Sequence, residues 1–141
     1  MPTPSRTLLA AALLAAALAA LPALSAQAAG DPLAAHRWKS RVVVALAPSP
    51  DDPALAAQRR IFAALGSEAR ERDLVLLAAT DGTAAGDALR RRFGGGPGFR
   101  AILVGKDGGE KLSSAVPLGR ESLLPLIDAM PMRQDEMSRR R

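Results

Sequence analysis

Four side chains have types and spacing that could do chemistry: Ser49, Asp51 and Asp52 in one short stretch, and Asp81 further on. Clustered carboxylates are hard oxygen ligands able to hold magnesium or calcium, and a serine beside a base becomes a nucleophile. At a helix start, serine can instead contact an anion. A simpler account is also available. Asp52 precedes Pro53, so it suits a helix N-cap, while Asp51 and Asp81 suit turns, each stabilising the fold by about 1 kcal/mol or less. Ser49 has no evident base, because the only histidine, His36, comes well before it. Gln58 is the one polar residue expected on an inward helix stripe near that loop. Lys106 among glycines invites a phosphate-loop reading, but Arg100 stands where the first glycine is needed and Asp107 where serine or threonine is. It reads as a hairpin turn. The glycine run 94–98 could cradle an anion or simply stop a helix. Arg90, Arg91 and Arg92, with Arg139, Arg140 and Arg141 at the chain end, form two basic clusters that could meet anionic lipid or polymer, or serve solubility. The sequence contains no cysteine, which removes thiol redox chemistry, cysteine-type zinc sites and iron–sulfur ligation. No metal and no cofactor is expected.

The elements that must carry these groups follow from pattern. The run 41–47, Arg-Val-Val-Val-Ala-Leu-Ala, is continuous and β-branched, as a strand buried on both faces should be. Pro48 to Pro53 breaks it, and a helix is predicted over 53–72, with Leu55, Phe62, Leu65 and Ala69 inward and Arg59, Glu68 and Arg72 wet. A second buried strand spans 74–80, and Asp81-Gly82-Thr83 turns into a shorter helix ending near Phe93. Right-handed crossovers make these two strands parallel. A strand over 101–105, the turn Lys106 to Gly109 and a returning strand over 110–115 form an antiparallel hairpin. A last helix carries Leu123, Leu126, Ile127 and Met130 despite Pro125 within it. Residues 133–141 read as a charged, solvated tail. The expected fold is therefore α/β, β-α-β-α-β-β-α, a thioredoxin-like mixed four-stranded sheet with helices on both faces.

Several segments together resemble one family. They are Trp38-Lys39-Ser40-Arg41, Ala47-Pro48-Ser49, Gly105-Lys106-Asp107-Gly108-Gly109, and Asp128-Ala129-Met130-Pro131-Met132-Arg133. They are similar to the domain-of-unknown-function 4174 family over about Trp38 to Met137. The resemblance implies a thioredoxin-like, peroxiredoxin-like fold found in small exported bacterial proteins and in sushi-repeat and related extracellular matrix proteins. It brings no activity and no catalytic residue. A redox-active thioredoxin fold needs a thiolate at the end of the first strand, where the helix dipole lowers its pKa. Pro48-Ser49-Pro50-Asp51-Asp52 occupies that place here.

The first thirty residues are foreign to the rest. Arg6 is their only charge before Gly30, an apolar run extends from Leu8 to Leu24, and Ala26-Gln27-Ala28 follows. This is the pattern of a general export signal peptide, with a cut expected between Ala28 and Ala29. An uncleaved anchor is the alternative, weakened by alanine richness and Pro22. The expected organisation is a signal peptide over 1–28, one domain over 29–132 and the tail over 133–141. The chain is expected in the periplasm or outside the cell, with no stable membrane span after cleavage. Its aromatics are Trp38, Phe62, Phe93 and Phe99 with no tyrosine, a poor base-stacking set, so despite a net charge of +5 no nucleic-acid partner is expected. The function expected is a noncatalytic binding or scaffold domain whose partner is an unknown envelope or extracellular protein. The alternatives are a metal-dependent hydrolase built on the aspartates near Ser49, and an electrostatic binder of anionic polymer or lipid.

Overall fold

The computed structural model describes residues 30–141; the expected signal peptide over 1–28 lies outside the described residues. The β-branched run forms β1 (Arg41–Ala47), buried along its whole length because a helix layer covers each of its faces. β2 (Leu74–Thr80) pairs with it in parallel, Arg41 opposite Leu74 and Ala47 opposite Thr80. β3 (Arg100–Val104) pairs antiparallel on the other side, and β4 (Glu110–Ser114) returns beside β3. The sheet order is β2-β1-β3-β4. This is the expected thioredoxin-like arrangement, with the parallel βαβ half and the antiparallel hairpin meeting at β1 and β3.

Pleating sends alternate residues of β1 to opposite layers. Val43 joins Leu65, Ala69, Leu103, Leu123 and Ile127 on one face, beneath α1 (Pro53–Leu65), α2 (Ser67–Glu71) and α4 (Arg120–Asp128). Val42, Val44 and Leu46 join Leu89 and Ile102 on the other, beneath α3 (Ala84–Phe93).

Three expectations need correction. The single helix over 53–72 is broken at Gly66, whose φ of 52° ends α1 with its N–H on the Ala63 carbonyl, as glycine at a helix C-terminus commonly does. Arg72 lies past α2 and is not wet: its guanidinium holds Asp128 in two hydrogen bonds of 2.9 and 2.8 Å. The charged tail is exposed apart from Arg133, Glu136 and Met137, but it is not irregular. Residues 131–139 form a further helix, α5 (Pro131–Arg139), started by a proline at its first position and by Met130 as N-cap. Its apolar content is too low for a periodicity search to find. Pro125 is tolerated in α4, where it is exposed and the backbone beyond it still bonds, Ala129 N–H to the Pro125 carbonyl.

Candidate functional site

The loop after β1 comes first, because a thiol would stand there in a redox protein. Asp52 caps α1, its Oδ1 accepting the N–H groups of Ala54 (2.9 Å) and Leu55 (3.2 Å). Asp81 is bound by Arg90, Nε to Oδ1 at 2.8 Å. Ser49 and Asp51 are exposed. Gln58 is fully buried, and both ends of its amide are occupied by one residue: Nε2 donates to the Leu118 carbonyl (3.1 Å) and Oε1 accepts the Leu118 N–H (2.7 Å). Gln58 therefore pins the segment between β4 and α4 to α1. Among the described residues no group of three or more histidine or carboxylate side chains is arranged to hold a metal. A cavity of about 270 Å³ beside the loop is lined by Pro50, Leu55, Arg59 and the end of β2, with none of the three aspartates in its wall.

The arginine triplet divides. Arg90 reaches back to the Gly96 and Gly98 carbonyls at 3.0 and 2.6 Å, so the glycine loop presents acceptors to a cation, the reverse of an anion cradle. Arg92 holds Asp31 and the Gly108 carbonyl and lies over the Phe93 ring. Arg91 is exposed, as are Arg139, Arg140 and Arg141 on and after α5.

At the opposite end of the sheet, where β1 begins and β3 ends, a larger site is assembled that residue-by-residue reading of the sequence missed. Arg41, 1% exposed, sends Nη1 and Nη2 to Glu136 of α5 at 3.2 Å each, and Nη1 also to the Arg72 carbonyl at 2.8 Å. Lys106 joins the same carboxylate at 2.6 Å and Asp73 at 2.8 Å. Arg133, itself buried, bonds Asp128 at 3.3 Å and the Glu71 carbonyl at 2.8 Å. Burial alone would raise the Glu136 pKa, but hydrogen bonds and charge from Lys106 and Arg41 outweigh it and hold the carboxyl below its ordinary range. Asp128 is likewise lowered, chiefly by the hydrogen bonds from Arg72.

Beside this network opens a cavity of about 570 Å³. Trp38 stands at its rim with φ of 64°, a conformation bulky residues rarely adopt, its N–H on the Lys106 carbonyl at 2.7 Å. Met130 and Met132 line it too, and Arg41, Lys106, Asp107 and Lys111 contribute the charged part. The Pro131 helix start and the Arg133/Glu136 spacing on one helix face were the sequence signals that could have found it.

A family profile described as "Domain of unknown function (DUF4174)" matches residues 32–136. The chain belongs to this family. The segments that carry the resemblance, from Trp38 to Arg41, Gly105 to Gly109 and Asp128 to Arg133, contribute to this one cavity and the ion network behind it. Only Ala47-Pro48-Ser49 lies at the far end of β1. The match ends at Glu136, inside α5, so the family domain includes most of the helix that had been read as tail. No curated protein matches the sequence. Among solved structures the chain is similar to Mycobacterium tuberculosis AhpC, at 18% identity, covering 74% of this chain and 75% of that one, with a TM-score of 0.47.

Proposed function

We propose that this member of the DUF4174 family is a noncatalytic binding module of the cell envelope. One observation carries the reading: the loop where a thioredoxin-like fold places its reactive thiol holds Pro48 to Asp52, and its innermost carboxylate is already bound in a helix cap. Nothing in that loop is paired with a base, and a chain without cysteine cannot shuttle electrons through thiols. A concave surface within the size range of ligand sites lies at the other end of the sheet. The amino-terminal export pattern supplies the envelope part of the reading.

Two measurements test it together. Purified protein is expected to show no insulin reduction and no peroxide consumption above buffer, and fractionated cells are expected to hold it in the envelope or medium. Turnover at enzyme-like rates, or a chain found only in the cytoplasm, would sink the proposal.

A further inference from the structure

Trp38 stands out of the fold with a cation on either side of it in the chain. Three large apolar side chains are notably exposed among the described residues, Trp38, Val116 and Met132, and two of the three border the larger cavity. Trp38 is 63% exposed and Met132 38%. The Trp38 backbone is left-handed, at φ of 64°, and its N–H is fixed to the Lys106 carbonyl, so the turn that presents the indole is tied to the hairpin. Leu126, Met130 and Pro131 continue the apolar lining. An indole with an apolar body and one N–H, beside thioethers that adapt their shape, suits the boundary between water and hydrocarbon.

The cations that line the cavity are matched: Arg41, Lys106 and Lys111 meet Glu136, Asp73 and Asp107. Those around it are not. Arg37 and Lys39 flank Trp38, are exposed, and make no side-chain hydrogen bond or ion pair among the described residues. Arg37 lies at the hairpin turn, its Nε 3.5 Å from where a Gly108 Cβ would stand. Arg139 is also exposed and unpaired among the described residues, and it lines a smaller cavity of about 240 Å³ that shares Lys106 and Met132 with the larger one. Of the carboxylates lining either cavity, Asp135 alone is held by no cation. Three free cations against that one carboxylate give this apolar face a positive excess.

We propose that this face docks the domain on the surface of an anionic phospholipid bilayer, with Trp38 and Met132 entering the headgroup layer and Arg37, Lys39 and Arg139 meeting lipid phosphates. The inference rests on the envelope part of the binding-module reading and names the partner for it. Apolar insertion alone would be indifferent to lipid charge, and charge alone would leave the indole in water; here both are supplied by one face. Other parts of the molecule carry less: in the loops after β1 and β2, Asp52 and Asp81 are engaged in a cap and an ion pair, and nothing shows what would cover the open edge of β2.

Trp38 is the sole tryptophan and the chain has no tyrosine, so its emission reports this face alone. The form recovered from the cell envelope, which the export pattern starts at Ala29, is titrated with vesicles of equal parts phosphatidylglycerol and phosphatidylcholine, and in parallel with phosphatidylcholine vesicles. The mixed vesicles are expected to sediment the protein and to shift Trp38 emission to the blue at unchanged far-UV circular dichroism. Phosphatidylcholine alone should bind at least about 10-fold more weakly. Lys39→Gln should weaken binding to the mixed vesicles about 5-fold, and Met132→Asp by at least as much. Arg59→Gln removes an exposed charge at the other end of the sheet and should leave binding unchanged. Equal binding to both vesicles, sedimentation with Trp38 emission unshifted, or an Arg59→Gln loss as large as that of Lys39→Gln overturns the inference, the last two marking attraction by net charge alone. Failure to sediment with either vesicle overturns it too, and with no enzymatic turnover and an envelope location that failure leaves the binding-module reading standing. Turnover would end that reading whatever the vesicles show.

Discussion

At the scale of single residues, polar groups that looked available for chemistry are engaged in holding the chain together. Gln58 is the clearest case, because its amide replaces a stretch of strand pairing for the Leu118 backbone. Gln58→Leu would keep the volume and leave a buried N–H and a buried carbonyl without partners, costing about 2–4 kcal/mol in urea unfolding. An unchanged midpoint would show that water takes over both bonds. Gly86 is the other. Within α3 an alanine would ordinarily stabilise by up to about 1 kcal/mol, but a Cβ there would sit 2.0 Å from the Thr80 carbonyl oxygen, and backbone cannot swing aside. Gly86→Ala is therefore expected to destabilise by about 1–3 kcal/mol or more in thermal or urea unfolding. A neutral or stabilising result would mean that α3 shifts freely on the sheet.

At the scale of elements, α5 differs from the other helices in how it is attached. Its buried residue is Arg133, and it is fastened by Glu136 to Arg41 and Lys106 and by Arg133 to Asp128. The pH dependence follows from the direction of the shifts. Glu136 and Asp128 are held below their ordinary values of 4.5 and 3.8, so the stability they contribute is fully present above those values. It is lost as pH falls through the lower folded values. Melting temperature should therefore decline on acidification beginning near pH 4.5, and Glu136→Gln should lower it at neutral pH while flattening that decline. Removing the carboxylate strands a buried guanidinium, a loss of about 3–5 kcal/mol where no other group moves in. A variant whose acid profile overlays the parent's would place the decline on other carboxylates.

At the scale of the whole molecule, legibility tracks apolar periodicity. The sheet was readable because β1 and β2 are unbroken apolar runs and because Lys106 to Gly109 is a turn in its own right. The thioredoxin-like order followed from those few facts. The Gly66 break was a local signal that the longer helical pattern overrode. The candidate site was legible only in part. Its motifs were visible as segments, but Arg41, Lys106, Arg133 and Glu136 meet through contacts that join β1, the hairpin and α5. Charged side chains carry no periodicity that points to their partners, and α5, rich in them, was read as solvated tail.

The attachment of α5 has one more consequence, in heat capacity. Helices docked by apolar area report their release through newly hydrated surface, and that hydration dominates the heat-capacity change of unfolding. A helix held mainly by ion pairs uncovers little such surface when it leaves. Loss of the α5 ion pairs, as in Glu136→Gln, is then expected to lower the melting temperature while leaving the heat-capacity change of unfolding nearly unchanged, which calorimetry reads directly.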